Sequence, residues 1–187
     1  MLQDLSFSGE PPFLAIADID HVHLTVQSLV AEEDVQSLSD LSKQSYPFAT
    51  DPAPFLRRLT KVIQESTLYE QFVIKLDGLV LLIVEVDKTR DQDREWEITL
   101  FAPPLPQAAI RLYANGLLLC LYYLLYSSGI DRIIAPAILE ERPKQEVLLL
   151  TEAGFMPEEE KKEPGNPLVF IFHRPPEIPR HALLPRR

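Results

Sequence analysis

The sequence predicts one α/β domain in which a mixed central sheet of about seven strands is flanked by helices. Three observations point there. Asp77-Gly78 stands between two apolar runs, Gln71–Leu76 and Leu79–Val86, which is the pattern of a two-residue β-hairpin. Residues Leu112 to Ile130 carry no charge and are too many for one strand, so a long helix follows the hairpin region. Beyond that helix, Arg132–Ala137 and Leu168–His173 are short aliphatic runs on either side of a helical stretch, Lys144–Ala153.

Taken in order, Met1 to Asp20 contains Pro11-Pro12 and reads as an irregular lead. His21-Val-His-Leu-Thr-Val26 alternates and is β-branched, which suits a half-buried strand. Ala31 to Ser42 opens with Glu32, Glu33 and Asp34, which favour the positive end of a helix, and spaces Val35, Leu38 and Leu41 by three. Tyr46-Pro47 ends it. Asp51-Pro52 starts a second helix that puts Phe55, Leu56, Leu59, Val62 and Ile63 on one face. The meander 71–86 is completed by a polar loop, Asp87 to Arg94, and a third strand, Trp96–Ala102. Pro103, Pro104 and Pro106 precede the long helix, roughly Pro106 to Ser127, for which Gly129 is the expected terminator. Gly154 closes the helix 144–153, Phe155 begins a weak strand, and Glu158 to Asn166 is a charged loop. Arg174 to Arg187 is a Pro-rich, locally basic tail. The expected division is therefore a lead (1–20), a folded domain (21–173) and a tail (174–187).

Bulk properties narrow the function classes. The chain has 187 residues, 46% hydrophobic and 25% charged, ordinary for one globular core. Its formal net charge of −10 repels a phosphate backbone, so nucleic acid is excluded as an expected partner. The single Cys120 lies in an apolar run and reads as a small buried hydrophobe, consistent with a reducing compartment. Met1 to Phe13 carries Asp4 and Glu10 and lacks a basic stretch followed by an apolar one, so no secretory signal and a cytoplasmic location are expected. The uncharged run 112–130 approaches membrane-spanning length, but Asn115, Gly116 and its tyrosines dilute it. A core helix is the expected reading, with no membrane span.

The order strand, helix, helix, three-strand meander, long helix, strand, helix, two strands is similar to that of the GNAT superfamily of N-acetyltransferases, and it covers Val22 to His173. Leu148-Leu-Leu-Thr-Glu-Ala-Gly-Phe155 resembles the family's helix-to-strand corner, and Ser128-Gly-Ile-Asp-Arg-Ile-Ile134 its junction after the long helix. The resemblance implies acetyl-CoA as donor substrate, bound where two parallel strands splay and with its pyrophosphate on the N-terminal amides of the long helix. It places the cofactor contacts at Phe101, Ala102, Gln107, Ala108, Ala109 and Arg111.

The loop departs from the family's glycine pattern. With Gln107 as first motif residue, Ile110 and Leu112 stand where glycines are expected. Arg111-Leu-Tyr-Ala-Asn-Gly116 is a second register that restores small residues but shortens the helix. The Gln107 register keeps the shorter distance from Ala102 and is preferred, although prolines remove backbone donors beside it.

For catalysis, the resemblance points to Glu97 as the general base on an acceptor amine; the competing reading turns it outward beside Trp96. Leu150 stands where many members have a proton-donating Tyr, while Tyr113, Tyr122, Tyr123 and Tyr126 read as core. His21 and His23 are two apart on a strand, but no third ligand accompanies them and no metal is expected. The charge run 158–163 reads as solvated loop and Pro175–Pro179 as an inert tail. Two functions follow from the resemblance: direct acetyl transfer from acetyl-CoA to an amine of an unidentified acceptor, or a catalytically inactive GNAT-fold module for binding or assembly.

Overall fold

The computed structural model describes residues 2–7, 13–19, 21–28, 68–89, 93–101, 107–137, 144–158 and 168–176. The two helices expected within 31–63, the proline cluster 103–106, most of the charged loop and the tail beyond 176 lie outside them.

The described elements are β1 (Gln3–Phe7), β2 (Phe13–Ile19), β3 (Val22–Ser28), β4 (Tyr69–Leu76), β5 (Leu79–Asp87), β6 (Glu95–Phe101), α1 (Ile110–Ser127), β7 (Arg132–Ala137), α2 (Lys144–Glu152), β8 (Met156–Pro157) and β9 (Leu168–His173). A 3₁₀ turn, Gln107–Ala109, leads into α1. The strands form one sheet in the order β1-β2-β3-β4-β5-β6-β7-β9-β8. Every neighbouring pair is antiparallel except β6 and β7.

Local chemistry explains several of these elements. Asp77 and Gly78 both have positive φ, 46° and 83°, so the β4–β5 turn is the mirror-image type whose twist matches its strands. At the end of α2, Phe155 N–H donates to Leu150 O and Gly154 N–H to Thr151 O, each at 3.0 Å. This is the Schellman pattern, and it needs the left-handed Gly154 (φ 96°). Phe155 then plugs the core and packs on Phe172 with ring centroids 5.4 Å apart.

Three sequence expectations are corrected. The lead is two strands, giving nine strands in place of about seven. Alanine is a weak strand former, yet Ala15 and Ala17 are fully buried in β2, where α1 packs over the strand, and the β2–β3 register supplies the backbone bonds. Phe7 of β1 stacks on Tyr126 of α1 at 4.6 Å, which ties the edge strand down. Second, Gly129 is not a left-handed terminator. Ser128 leaves the helix in an extended conformation (φ −128°, ψ 168°), and its hydroxyl donates to Leu124 O at 2.6 Å. The exit is closed by two arginines: Arg94 donates to Gly129 O, and Arg174 to Ser128 O and Ile130 O. Third, Arg174 is therefore anchored and does not begin a loose tail.

Gln107–Ser127 is long and apolar enough to cross a membrane by length and composition, and half of its apolar window is buried inside the protein. It is the central helix of the core, lying over β2 to β5 and beside α2. Gly116 lies close against the sheet, where a Cβ would meet Ile74 Cγ2 at 3.0 Å.

Candidate active site

The site begins with a break in the sheet. β6 and β7 pair only through Glu95–Arg132, Trp96–Ile133 and Glu97–Ile134, three rungs at the start of both strands. Among the described residues the parallel ladder ends there. Beyond it β6 continues along β5 as far as the Ile83–Phe101 pair, and β7 continues along β9 to Ala137–Leu168. The two strands thus stay in the sheet while parting from each other, which is a fork. Glu97, half-buried, stands on the last rung before it opens.

Five residues separate Phe101 from Gln107, which keeps the start of the 3₁₀ turn within about 20 Å of the end of β6. Ala109 caps α1 without any side-chain hydrogen bond, and the first turn contains no acidic residue. Amides in that state, aligned with the helix dipole, suit an anion. They open beside a cleft of about 450 Å³ lined by Gln107, Ile110, Arg111, Leu148 and Glu152. Arg111 adds a positive charge to it and Glu152 a negative one.

Of the residues expected to hold the cofactor, Gln107 and Arg111 line this cleft. Ala108 is exposed and Ala109 half-buried in the 3₁₀ turn, Phe101 closes β6, and Ala102 lies outside the described residues. The helix boundary decides between the two loop registers: Gly116 is buried in mid-helix against Ile74, Leu81 and Leu24, so it cannot serve in a loop. Ile110 and Leu112, which stand where the resemblance expects glycines, pack in and against the core, and Ile110 also lines the cleft. Sequence reasoning missed Leu148 and Glu152, since only folding brings α2 to the start of α1.

The tyrosines of α1 pack as core. Tyr122 tilts against Phe172, Tyr123 meets Phe72 edge-on and Tyr126 stacks on Phe7. Burial pushes the phenols of Tyr113 and Tyr123 above their ordinary range. Cys120 is fully buried, and burial pushes its thiol up strongly, which suits a packing role. Leu150 is fully buried. His21 sits in a turn with φ 70° and leaves the strand, while His23 Nδ1 bonds Asp18 at 2.7 Å.

The face of the sheet turned away from α1 was also not foreseen. Side chains alternate along strands, so the neighbours of core residues Leu24, Phe72, Val84 and Trp96 point the other way. They are Thr25, Gln71, Glu85 and Glu95, all buried, and with Ser128 they are the buried polar side chains among the described residues. Gln71 Nε2 donates to Glu85 at 2.9 Å, and Arg132 pairs with Glu95. Glu97 and Thr99 share this face by the same alternation.

By sequence, no protein-family model matches the chain and no curated protein matches it. By structure it is similar to the GNAT domain of S. lividans PAT, at 16% identity over 85% of this chain and 97% of that one, with TM-score 0.61. It is similar to Campylobacter jejuni N-acetyltransferase PseH in complex with acetyl coenzyme A, at 14% identity, 81% and 99% coverage and TM-score 0.53. An uncharacterized protein from Bacillus halodurans aligns at 15% identity, 82% and 85% coverage and TM-score 0.62. With its forked sheet, central helix and Gly154-Phe155 corner, the chain has the fold of the GNAT N-acetyltransferases.

Proposed function

We infer that the chain is an N-acyltransferase that moves an acetyl group from acetyl-CoA directly to an amine. The observation that carries the reading is the fork after Glu97 and Ile134, in a sheet whose next helix starts without a side-chain cap. The chain's own groups fit such a donor. The first amides of α1 and the Arg111 guanidinium suit its phosphates, and the open strand edges suit an amide-bearing arm. Glu152 opposes the phosphates and weakens this attraction.

In the reaction, Glu97 takes a proton from the acceptor ammonium, the amine attacks the thioester carbon, a C–N bond forms and the C–S bond breaks. A general base of this kind contributes roughly 10² to 10⁴ in rate. Leu150 offers no proton to the departing sulfur. An ordinary thiol has a pKa of about 8.5, low enough for the sulfur to depart as thiolate without a side-chain acid; it then takes up the second proton, which the new amide nitrogen releases, so the missing acid slows the reaction without forbidding it.

A thermal-shift titration with acetyl-CoA tests the reading: bound ligand raises the melting temperature once its concentration exceeds Kd. No shift at millimolar acetyl-CoA favours the second reading, a GNAT-fold binding module, which the buried Leu150 supports. Glu97→Gln should lower turnover by roughly 10²-fold or more and leave the acetyl-CoA shift in place. Unchanged turnover removes Glu97 from the mechanism.

A further inference from the structure

The fork opens where a proline enters β7. Pro136, half-buried, lies two residues beyond Ile134, the last residue of β7 on the parallel ladder. Proline has no backbone N–H and is kept out of sheet interiors because it removes a ladder bond. β7 nevertheless stands inside the sheet, between β6 and β9.

The bonds at the strand ends fix where each backbone group points. In an antiparallel pair a residue's N–H and C=O face the same neighbouring strand, and successive residues face opposite ones. Arg174 N–H donates to Asp131 O, while Glu158 N–H donates to Val169 O on the far side of β9. Odd residues of β7 therefore bond β9, and the even ones, Arg132, Ile134 and Pro136, face β6. Lys88 N–H donates to Leu68 O, so the even residues at this end of β5 bond β4 and the odd ones bond β6. Across β5–β6 this leaves Trp96, Ile98 and Leu100 facing β7. The parallel register then sets Ile134 N–H on Trp96 O and Ile98 N–H on Ile134 O. The next bond is due from the nitrogen of residue 136 to Ile98 O. There the chain has a proline, and the ladder stops.

We propose that Pro136 is a positioning residue for the donor: by withholding the N–H that Ile98 O would accept, it holds the fork open from that point and lets the donor's amide-bearing arm enter as far as Glu97. This rests on the transferase reading of the fork. Paired strands lie about 4.8 Å apart, too close for another chain between them. An N–H at position 136 would carry the ladder two residues further, and at 3.3 Å per residue the arm would stop about 7 Å short of its place beside Glu97. The first amides of α1 and Arg111, assigned to the phosphates, are untouched by that change.

The experiment compares the wild type with Pro136→Val, which supplies the N–H and suits a half-buried strand, and with Pro136→Ala if the first variant does not fold. Calorimetry uses two probes: acetyl-CoA, and ADP, which carries a pyrophosphate but no arm. The arm must now break two ladder bonds, so Kd for acetyl-CoA should rise about tenfold or more, with Kd for ADP unchanged. Equal affinity of variant and wild type for acetyl-CoA overturns the proposal. So does an equal loss for both probes, the result expected if the proline only supports the fold. Hydrogen exchange needs no ligand and separates this inference from the transferase reading. In the variant the new amide at position 136 should exchange about a hundredfold or more slowly than an open amide. Such protection supports Pro136 as the residue that opens the fork even where acetyl-CoA does not bind the wild type. An amide that exchanges freely overturns the proposal even where acetyl-CoA binds.

Discussion

The two faces of the sheet are built from opposite chemistry. Beneath α1 and α2 the packed side chains are aliphatic and aromatic, from Leu24 and Ile74 to Leu124 and Phe155. On the other face Thr25, Gln71, Glu85 and Glu95 are buried among Val73, Ile83, Ile134 and Ile171. Apolar burial stabilises by about 25 cal/mol per Å², whereas a buried carboxylate or amide at best offsets the cost of leaving water. The first face therefore supplies stability. The second mixes buried aliphatic side chains with polar groups and gains less for the same burial.

The sharpest way to test that contrast is to cut into the apolar face. Phe155→Ala removes one of the largest fully buried side chains and should cost about 3–5 kcal/mol in denaturant unfolding. A loss below about 1 kcal/mol would mean that the α2 corner is not part of the core.

Cys120 probes the same face through pH. Its folded pKa is raised by burial while the unfolded thiol titrates near pH 8.5, so the unfolded chain releases its proton first. The contribution is fully present below about pH 8.5 and is lost as pH rises from there toward the folded value. Its slope is about 1.4 kcal/mol per pH unit, and Cys120→Ala should make the alkaline decline shallower by that amount. A decline of unchanged steepness would sink the assignment of Cys120 to the dry core.

Gly154→Ala should cost about 1–2 kcal/mol, because φ of 96° is unfavourable for a residue with a side chain and its Cβ would meet Phe172 Cε2 at 3.2 Å. The smallest stability effect belongs to the polar face. Glu97→Gln should move unfolding by no more than about 0.5 kcal/mol while turnover collapses. A large destabilisation would make Glu97 a structural group and erase the contrast between the faces.

Much of the fold was legible where local chemistry speaks. Asp77-Gly78 announced the β4–β5 hairpin, Gly154-Phe155 the end of α2, and the aliphatic runs 132–137 and 168–173 coincide with β7 and β9. The first two strands were not legible: Ala15 and Ala17 have little strand preference of their own, and β2 is fixed by its ladder with β3 and by the helix above it. In the candidate site, Glu97 and the opening of α1 could be named from the resemblance. Leu148 and Glu152, about forty residues from Gln107, could not, nor could the Gln71–Glu85 contact across two strands.

By itself the sequence determined the alternation of strands and helices, the turns and the chemical types at hand, because periodicity and turn geometry depend on neighbours in the chain. Tertiary structure decided the nine-strand order, the point at which β6 leaves β7, the burial of Gly116 in mid-helix and the gathering of carboxylates on one face. Those features depend on ladder register and on which side of a strand meets the helix. Contacts between residues far apart in the chain set both, and a shift of one residue would turn every side chain of a strand to the opposite face.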